Sequence, residues 1–264
     1  ARRLVQGLGR IIAAEAAGIA SQAAAEDDKE RREARQKAAA AMLKWAAASE
    51  GAKVLDHSLS MAAALLNCPA GDIDADTDVL GTPSGVLDLR TGQCRPYAAA
   101  DRITKTTAVD FDPDATASTW TRFVSEIMGS DAELIEYVHR LAGYALSGRR
   151  DEHLLPICWG SGANGKSTYL GALMYVLGGY AGAAAPGLLI QRFGNEHPTA
   201  LADLQGLRLV IASETGEGGR LNEEQVKLLT GGEAIKARRM ARDFYQFQPS
   251  HLLLLQTNHR PQVK

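Results

Sequence analysis

Residues 160 to 167 read Gly160-Ser161-Gly162-Ala163-Asn164-Gly165-Lys166-Ser167, with an apolar run from Leu154 to Trp159 before them and a helical stretch from Thr168 to Leu177 after. Strand, glycine loop ending in Lys-Ser, and helix in that order make the arrangement that wraps a polyphosphate. Glycines let the loop turn its N–H groups inward, and the helix N-terminus adds partial positive charge. Lys166 then reaches the β- and γ-phosphates while the Ser167 hydroxyl ligates Mg2+. The expected ligand is ATP with Mg2+, cradled by residues 160 to 168. A chance glycine loop would lack the flanking strand and helix, and both are here.

Such a loop needs an acid at the end of a neighbouring buried strand, to hold the metal through water or to orient the attacking water. Arg208-Leu209-Val210-Ile211-Ala212-Ser213-Glu214 supplies one, followed by the turn Thr215-Gly216-Glu217-Gly218-Gly219. Ser213 stands where many P-loop enzymes carry a second acid, so Glu214 takes both the metal and the water, with Ser213 beside it in the water shell. A third apolar run, Leu252 to Leu255, ends in Gln256-Thr257-Asn258. Asn258 can hydrogen-bond both the γ-phosphate and the water; taken alone, an Asn followed by His259-Arg260-Pro261 is a turn residue, and its weight comes from its order after the other two motifs.

Between Glu214 and that third run lies Lys227-Leu228-Leu229-Thr230-Gly231-Gly232-Glu233, then Ala234 to Arg242 with four basic residues and no acid. In an extended chain, period two puts Lys236, Arg238 and Arg242 on one face with Met240 between them, and Ile235, Ala237 and Ala241 on the other. Phe244 to Phe247 is the expected return strand of a hairpin. Its basic face either follows a phosphate backbone, with salt-sensitive and sequence-independent contact, or guards an edge strand against aggregation.

The elements that must position these residues are continuous apolar strands alternating with helices, the texture of a parallel sheet buried on both faces. The fold class expected is α/β, a P-loop NTPase sheet flanked by helices and preceded by a mainly helical region with a few short strands. Residues 21 to 56 mix Ala with alternating-sign charge and hold no Gly before Gly51, which predicts one solvated helix. From Asn67 to about Asp114, Pro and Gly punctuate short segments such as Val86 to Leu89 and Ile103-Thr104, read as small strands packing on the helices and sheet C-terminal to them. Thr119 is the expected cap of a helix carrying Trp120, Phe123, Val124 and Ile127. A second helix, with Leu134, Val138, Leu141 and Ala145 in line, should stop at Gly148. The divisions are 1–117 for the helical and strand/turn segment, 118–150 for a helical collar and 151–264 for the ATPase core. No internal repeat is visible.

Composition closes off several classes. With 45% apolar and 23% charged residues the chain has enough for a core, which excludes disorder throughout. Formal net charge is −2, so any contact with nucleic acid must be concentrated locally. Cys68, Cys94 and Cys158 are odd in number and unpaired by motif, which excludes a disulfide scaffold or zinc ribbon and favours a reducing, cytoplasmic setting. No apolar run reaches the length of a membrane span, and Arg10 and Glu15 interrupt what faintly imitates a signal peptide. The six histidines show no chelating spacing. A start on Ala1 and a stop on Lys264 just after a strand-like run read as a piece of something longer.

The order of P-loop, single-Glu strand, Lys-x-x-Thr-Gly-Gly-Glu with a basic hairpin, and strand ending in Thr-Asn resembles the superfamily 3 helicases of the phage and plasmid primase-helicase type, related to the poxvirus primase-helicase. Thr82 to Gly92, Gly143-Tyr144-Ala145-Leu146-Ser147-Gly148 with Glu152-His153, and His197-Pro198-Thr199 with Ala202 and Leu204 extend the likeness over roughly residues 76 to 264. The resemblance is specific at Lys166, Ser167, Glu214, Lys227, Lys236, Arg238 and Asn258. It implies an AAA+-like ATPase assembling as a ring, usually a hexamer, whose hairpins grip single-stranded DNA and move with hydrolysis, translocating 3′ to 5′. The family's arginine finger falls beyond the last strand of this chain, and Arg260 stands too close to Asn258 to be it. The family's primase half is also absent from this sequence, so a primase would be a neighbouring domain or partner. A finger can be worth about 10³ or more in rate, so weak hydrolysis without it is expected.

Two other functions stay open at this point. A small-molecule kinase or packaging motor would share the P-loop alone, although no lid or acceptor pocket is readable. A nucleotide-dependent replication-initiation or DNA-binding assembly module would use the same motifs without unwinding.

Overall fold

The computed structural model describes residues 7–65, 68, 70–191, 198–214 and 220–261. The chain divides into two compact units, Ala1–Pro69 and Ala70–Lys264. This division places the strand-and-turn segment with the sheet, apart from the N-terminal helices with which the reading 1–117 groups it.

The first unit is three helices, α1 (Leu8–Ala24), α2 (Lys29–Ser49) and α3 (Ala52–Leu65). The single solvated helix expected over 21 to 56 is therefore broken twice. Asp28 takes an extended conformation and its carboxylate accepts from the Glu30 and Arg31 amides at 2.9 and 3.3 Å, starting α2 afresh. Helices α1 and α2 form a hairpin through small side chains, with Ala16, Ala23, Ala39 and Ala46 buried, and Arg35 pairs with Glu26 at 3.0 Å across the turn.

The second unit opens with an antiparallel meander of β1 (Val79–Gly81), β2 (Val86–Asp88) and β3 (Gln93–Arg95). Ile103-Thr104 is not a strand as expected: the Thr104 amide is drawn to the Asp74 carboxylate at 2.7 Å. The collar follows as α4 (Ser118–Ile127) and α5 (Ala132–Ser147). Thr119 does not cap α4. Ala117 holds the cap position, and Thr121 donates back to its carbonyl from both amide and hydroxyl. Asp131 caps α5 at its start and Gly148, at φ +61°, stops it as the glycine predicts.

Next come β4 (Ile157–Trp159), α6 (Lys166–Leu177), β5 (Ala181–Ala183), the short α7 (Pro198–Ala202), β6 (Leu209–Glu214), α8 (Glu223–Thr230), the hairpin strands β7 (Ile235–Arg238) and β8 (Phe244–Phe247), and β9 (Leu252–Thr257). Strands β4, β9, β6 and β5 form a parallel sheet in that order. Period two in the central strands builds a core on each face. Val210, Ala212, Leu253 and Leu255 pack with Leu229, Ile235 and Phe247, while Leu209, Ile211, Leu252 and Leu254 pack with Tyr169, Leu170 and the collar's Val124 and Val138. The double burial expected of all three apolar runs holds for β6 and β9 but not for β4. That strand is shorter than Leu154 to Trp159 and lies at the sheet edge, leaving Ile157 and Trp159 exposed.

Arg208, just before β6, is buried and has no carboxylate in hydrogen-bond contact among the described residues. Its guanidinium donates to the carbonyls of Thr77, Leu146, Asp76 and Val79 at 2.8 to 3.3 Å and lies 5.7 Å from the Tyr180 ring centroid. A Cβ on Gly148 would stand 2.1 Å from its Nη1. His251, just before β9, is wholly buried with neither ring nitrogen in good hydrogen-bond geometry. Burial first, then the Arg150 guanidinium, hold its pKa down to about 3 against a weaker pull from the Leu229 carbonyl.

Two outcomes are expected in denaturant unfolding. Gly148→Ala should lose about 2 kcal/mol or more, from the left-handed backbone and the displaced guanidinium together, and wild-type stability would remove Arg208 from its role as tether. For His251 the unfolded imidazole takes its proton first as pH falls through about 6.5, so stability present above that value is lost on the way down towards pH 3. Between pH 7 and pH 5 the wild type should lose about 2 kcal/mol more than His251→Leu, a substitution that breaks no side-chain hydrogen bond. Equal losses in the two proteins would mean that the imidazole is not held neutral.

Candidate functional site

Thr257 at the end of β9 is paired on one side with Trp159, the last residue of β4, and on the other with Glu214, the last residue of β6. The residues that leave these three strands therefore emerge side by side at one carboxyl edge. They are Gly160, opening the glycine loop, Asn258, and Glu214 itself. In a parallel α/β sheet this edge is where ligands sit. The segments that sequence order alone suggested as one site are brought together by register.

The loop has the backbone such a cradle needs. Gly162 and Gly165 lie at φ +97° and +82°, and Ala163, a residue with a Cβ, is held at +50°. Gly165 precedes α6 without any side-chain cap, so the first amides of the helix are left uncapped at the N-terminus, where an anion is favoured. A Cβ at Gly165 would come within 2.5 Å of Ile127 Cγ2 and one at Gly160 within 2.0 Å of Asn164 Nδ2, so both glycines serve close approach. The collar fixes the helix behind the loop. Trp120 stacks on Tyr169 with centroids 5.4 Å apart, and burial pushes the Tyr169 phenol up to about 12, so it stays a neutral donor to the Val138 carbonyl at 3.1 Å.

Lys166 Nζ donates to the Gly160 carbonyl and to Asn164 Oδ1, both at 2.9 Å, and Ser167 Oγ accepts from Gln256 Nε2 at 2.7 Å. Ser161, Ala163, Asn164, Ser167 and Thr168 are exposed, and Gly160, Gly162, Gly165 and Lys166 are half-buried. The uncapped helix start, the lysine and the exposed hydroxyl suit a triphosphate with its divalent cation. Gln256 is a contact the sequence reading missed; its place in β9, in register with Ser213 and Cys158, gave no local signal. Cys158 remains a thiol because burial raises its pKa, the neighbouring Lys166 opposing this only in part. Glu214 is placed by its backbone at the strand end; the turn expected at 215 to 219 and His197 lie outside the described residues. Asn258 is exposed, and Arg260 packs over the Trp159 ring at 4.5 Å from its centroid. No group of three or more metal-binding side chains occurs among the described residues, nor any helix long and apolar enough to cross a membrane.

The hairpin forms with its return strand where predicted. Lys236 pairs with Gln246 and Arg238 with Phe244, so these four share the outer face, while Ile235, Ala237 and Phe247 are buried. Arg242 does not join that face as a strand residue. Extended pairing ends at Arg238, and residues 239 to 243 form the connection, where Ala241 turns at φ +55° and the Arg242 amide donates to the Arg239 carbonyl. Arg242 is thus at the exposed tip with Arg239 and Met240. Phe244 was also missed as a surface feature: an aromatic in a strand looks like core until its parity is known. Lys227 lies in α8, in the last turn.

Residues 1–129 match the sequence family described as D5 N terminal like, and residues 158–264 a Family of unknown function (DUF5906). The first match reaches into the N-terminal helices, beyond the span from 76 onward that the motifs alone carry. A protein of Acanthamoeba polyphaga mimivirus, whose name describes it as a candidate helicase, is 29% identical over 199 residues; they cover 73% of this chain and 21% of that protein, so the chain spans about a fifth of its length. Among solved structures, two of the C-terminal region of NrS-1 are similar at TM-scores of 0.45 and 0.42, with 12% and 13% identity over 55% of this chain and 34% of theirs.

Lys166→Ala should weaken binding of a fluorescent ATP analogue by tenfold to a hundredfold or more, the worth of about 1.5–3 kcal/mol in hydrogen bonds to a charged group. Unchanged affinity would remove the phosphate cradle.

Proposed function

We propose that this relative of the phage-type primase-helicases is an ATP-driven motor on single-stranded DNA, working in phage or plasmid replication. The observation that carries the reading is the common carboxyl edge, where paired strand ends put the glycine loop, Asn258 and Glu214 beside one another with a basic hairpin inserted in the chain between the last two.

On this reading Lys166 and the first amides of α6 hold the phosphates, and Ser167 and Glu214 hold Mg2+, which supplies charge neutralisation at the transferring phosphoryl group. Glu214 orients the attacking water, and Asn258 bonds the γ-phosphate. Lys236, Arg238 and Arg242 contact the DNA backbone. Arg150 supports a mechanical link between the two sites. Its guanidinium donates to the Leu229 and Thr230 carbonyls at 3.2 and 2.9 Å and to the His251 carbonyl, pinning the end of α8 and the start of β9, the two roots of the hairpin. A shift at Asn258, at the far end of β9, is thereby carried to the hairpin. A hexameric ring of the AAA+ and superfamily 3 kind, a neighbour's arginine finger, movement 3′ to 5′ and a primase as adjoining domain or partner complete the proposal, in the interior of a host cell.

The test is ATP hydrolysis with and without single-stranded DNA at two salt concentrations. Stimulation that fades with salt is expected, and Glu214→Gln should keep ATP affinity while turnover falls about a hundredfold or more. Hydrolysis indifferent to DNA would assign the chain to another P-loop ATPase class, and stimulation without directional strand displacement would leave an assembly module.

A further inference from the structure

We propose that the outer face of the hairpin is a base-stacking site as well as a cationic track, with Phe244 the ring on which a base of the single strand lies. This rests on the reading of the hairpin as the DNA contact, and it adds what that reading lacks, a reason to prefer exposed bases over phosphates alone.

Strand parity separates the aromatics of β8. Phe247 faces the core and is 7% exposed, whereas Phe244 faces outward with Lys236, Arg238 and Gln246 and is 51% exposed. A strand guarding itself with charge has no use for an outward phenyl ring. The cations are also placed in an unusual way. Lys236 Nζ lies 5.0 Å and Arg238 Cζ 4.9 Å from the centroid of that ring, and neither is paired with a carboxylate among the described residues. Two cations gathered on one ring, with no carboxylate partner among the described residues, form a patch that alternates positive charge with π-surface at the spacing of neighbouring strand residues.

Single-stranded DNA presents the same alternation of phosphate and unstacked base. An exposed cation–π contact is weak and a phosphate attracts both side chains more strongly, so binding turns Lys236 and Arg238 to the backbone and frees the ring face for a base. Duplex DNA keeps its bases inside and offers only phosphates, and a polyanion without bases does the same. The patch therefore selects single strands through Phe244 and gains its salt sensitivity through Lys236 and Arg238.

The experiment measures binding of the full chain to a fluorescein-labelled 20-mer of dT, to an abasic 20-mer of equal length and to a 20-bp duplex, across a salt series. The wild type should bind dT about tenfold tighter than the abasic strand, the worth of one base–aromatic stack. Phe244→Leu should abolish that preference with an unchanged salt slope, and Phe244→Trp should restore it. Replacing Lys236 and Arg238 by Ala should weaken binding to both strands and flatten the slope by about 1.4. If Phe244→Leu keeps the wild-type ratio, or the wild type binds the abasic strand or the duplex as tightly as dT, Phe244 is no stacking residue, though the cationic reading stands wherever the lysine and arginine changes still act. If those changes leave affinity unaltered, or no strand binds, the hairpin is not the DNA contact and both readings fall.

Discussion

The buried guanidinium of Arg208 is the point on which the second unit depends. The main chain of Arg208 ties the sheet, its amide donating to the Tyr180 carbonyl at 2.7 Å and its carbonyl accepting from Leu252 at 2.8 Å. Its side chain meanwhile collects carbonyls from residues 76 to 79 and from the end of α5. A buried charge with no carboxylate partner among the described residues is tolerated because those oxygens solvate it. One residue thus sets where β6 begins, which segment lies over its start, and, six residues on, where Glu214 ends the strand. The Tyr180 phenol extends the same junction, accepting from the Gly81 amide at 2.8 Å.

A second constraint operates at the opposite edge, where the glycine loop is closed on itself. Lys166 satisfies the loop's own carbonyl and Asn164, and Ser167 is engaged by Gln256. Binding a triphosphate there exchanges one set of hydrogen bonds for another, so the net gain is the difference between charge-assisted bonds to phosphate and the neutral acceptors displaced. Ile127 and Phe123 pack behind Gly165 and Trp120 stacks on Tyr169 of α6, which makes the collar part of the site's support.

What could be read from sequence was whatever is encoded locally. The glycine loop announces itself by spelling, Gly148 by the stop it imposes, and the hairpin by four cations followed by an aromatic return. The central strands were legible because burial on both faces leaves no polar residue in Leu252 to Leu255. The misreadings have equally physical causes. Asp28 breaks a charged helix through a cap that its acidic neighbours disguise, and Thr119 resembles a cap but stands just inside the helix that begins after Ala117. Nothing in the composition of β4 distinguishes an edge from a middle strand. Arg208, Arg150 and Gln256 were invisible for a different reason: their partners are far along the chain, as with Arg208 and Thr77, 131 residues apart, and a charged or amide residue reads as surface until its neighbours are known.

Strand β9 belongs to two hydrogen-bond ladders at once, and this governs which length changes the chain can accept. One residue inserted or removed within it would shift Asn258 against the glycine loop and against Glu214 together, and would exchange the side chains that fill the two cores on either face of the sheet, because side chains alternate. The connection between Arg238 and Phe244 is under no such restriction, being exposed and outside any ladder. Across related sequences, the spacing from the acidic strand end to the terminal asparagine can therefore drift only through the segments between β6 and β9, and the strands themselves must evolve by substitution alone.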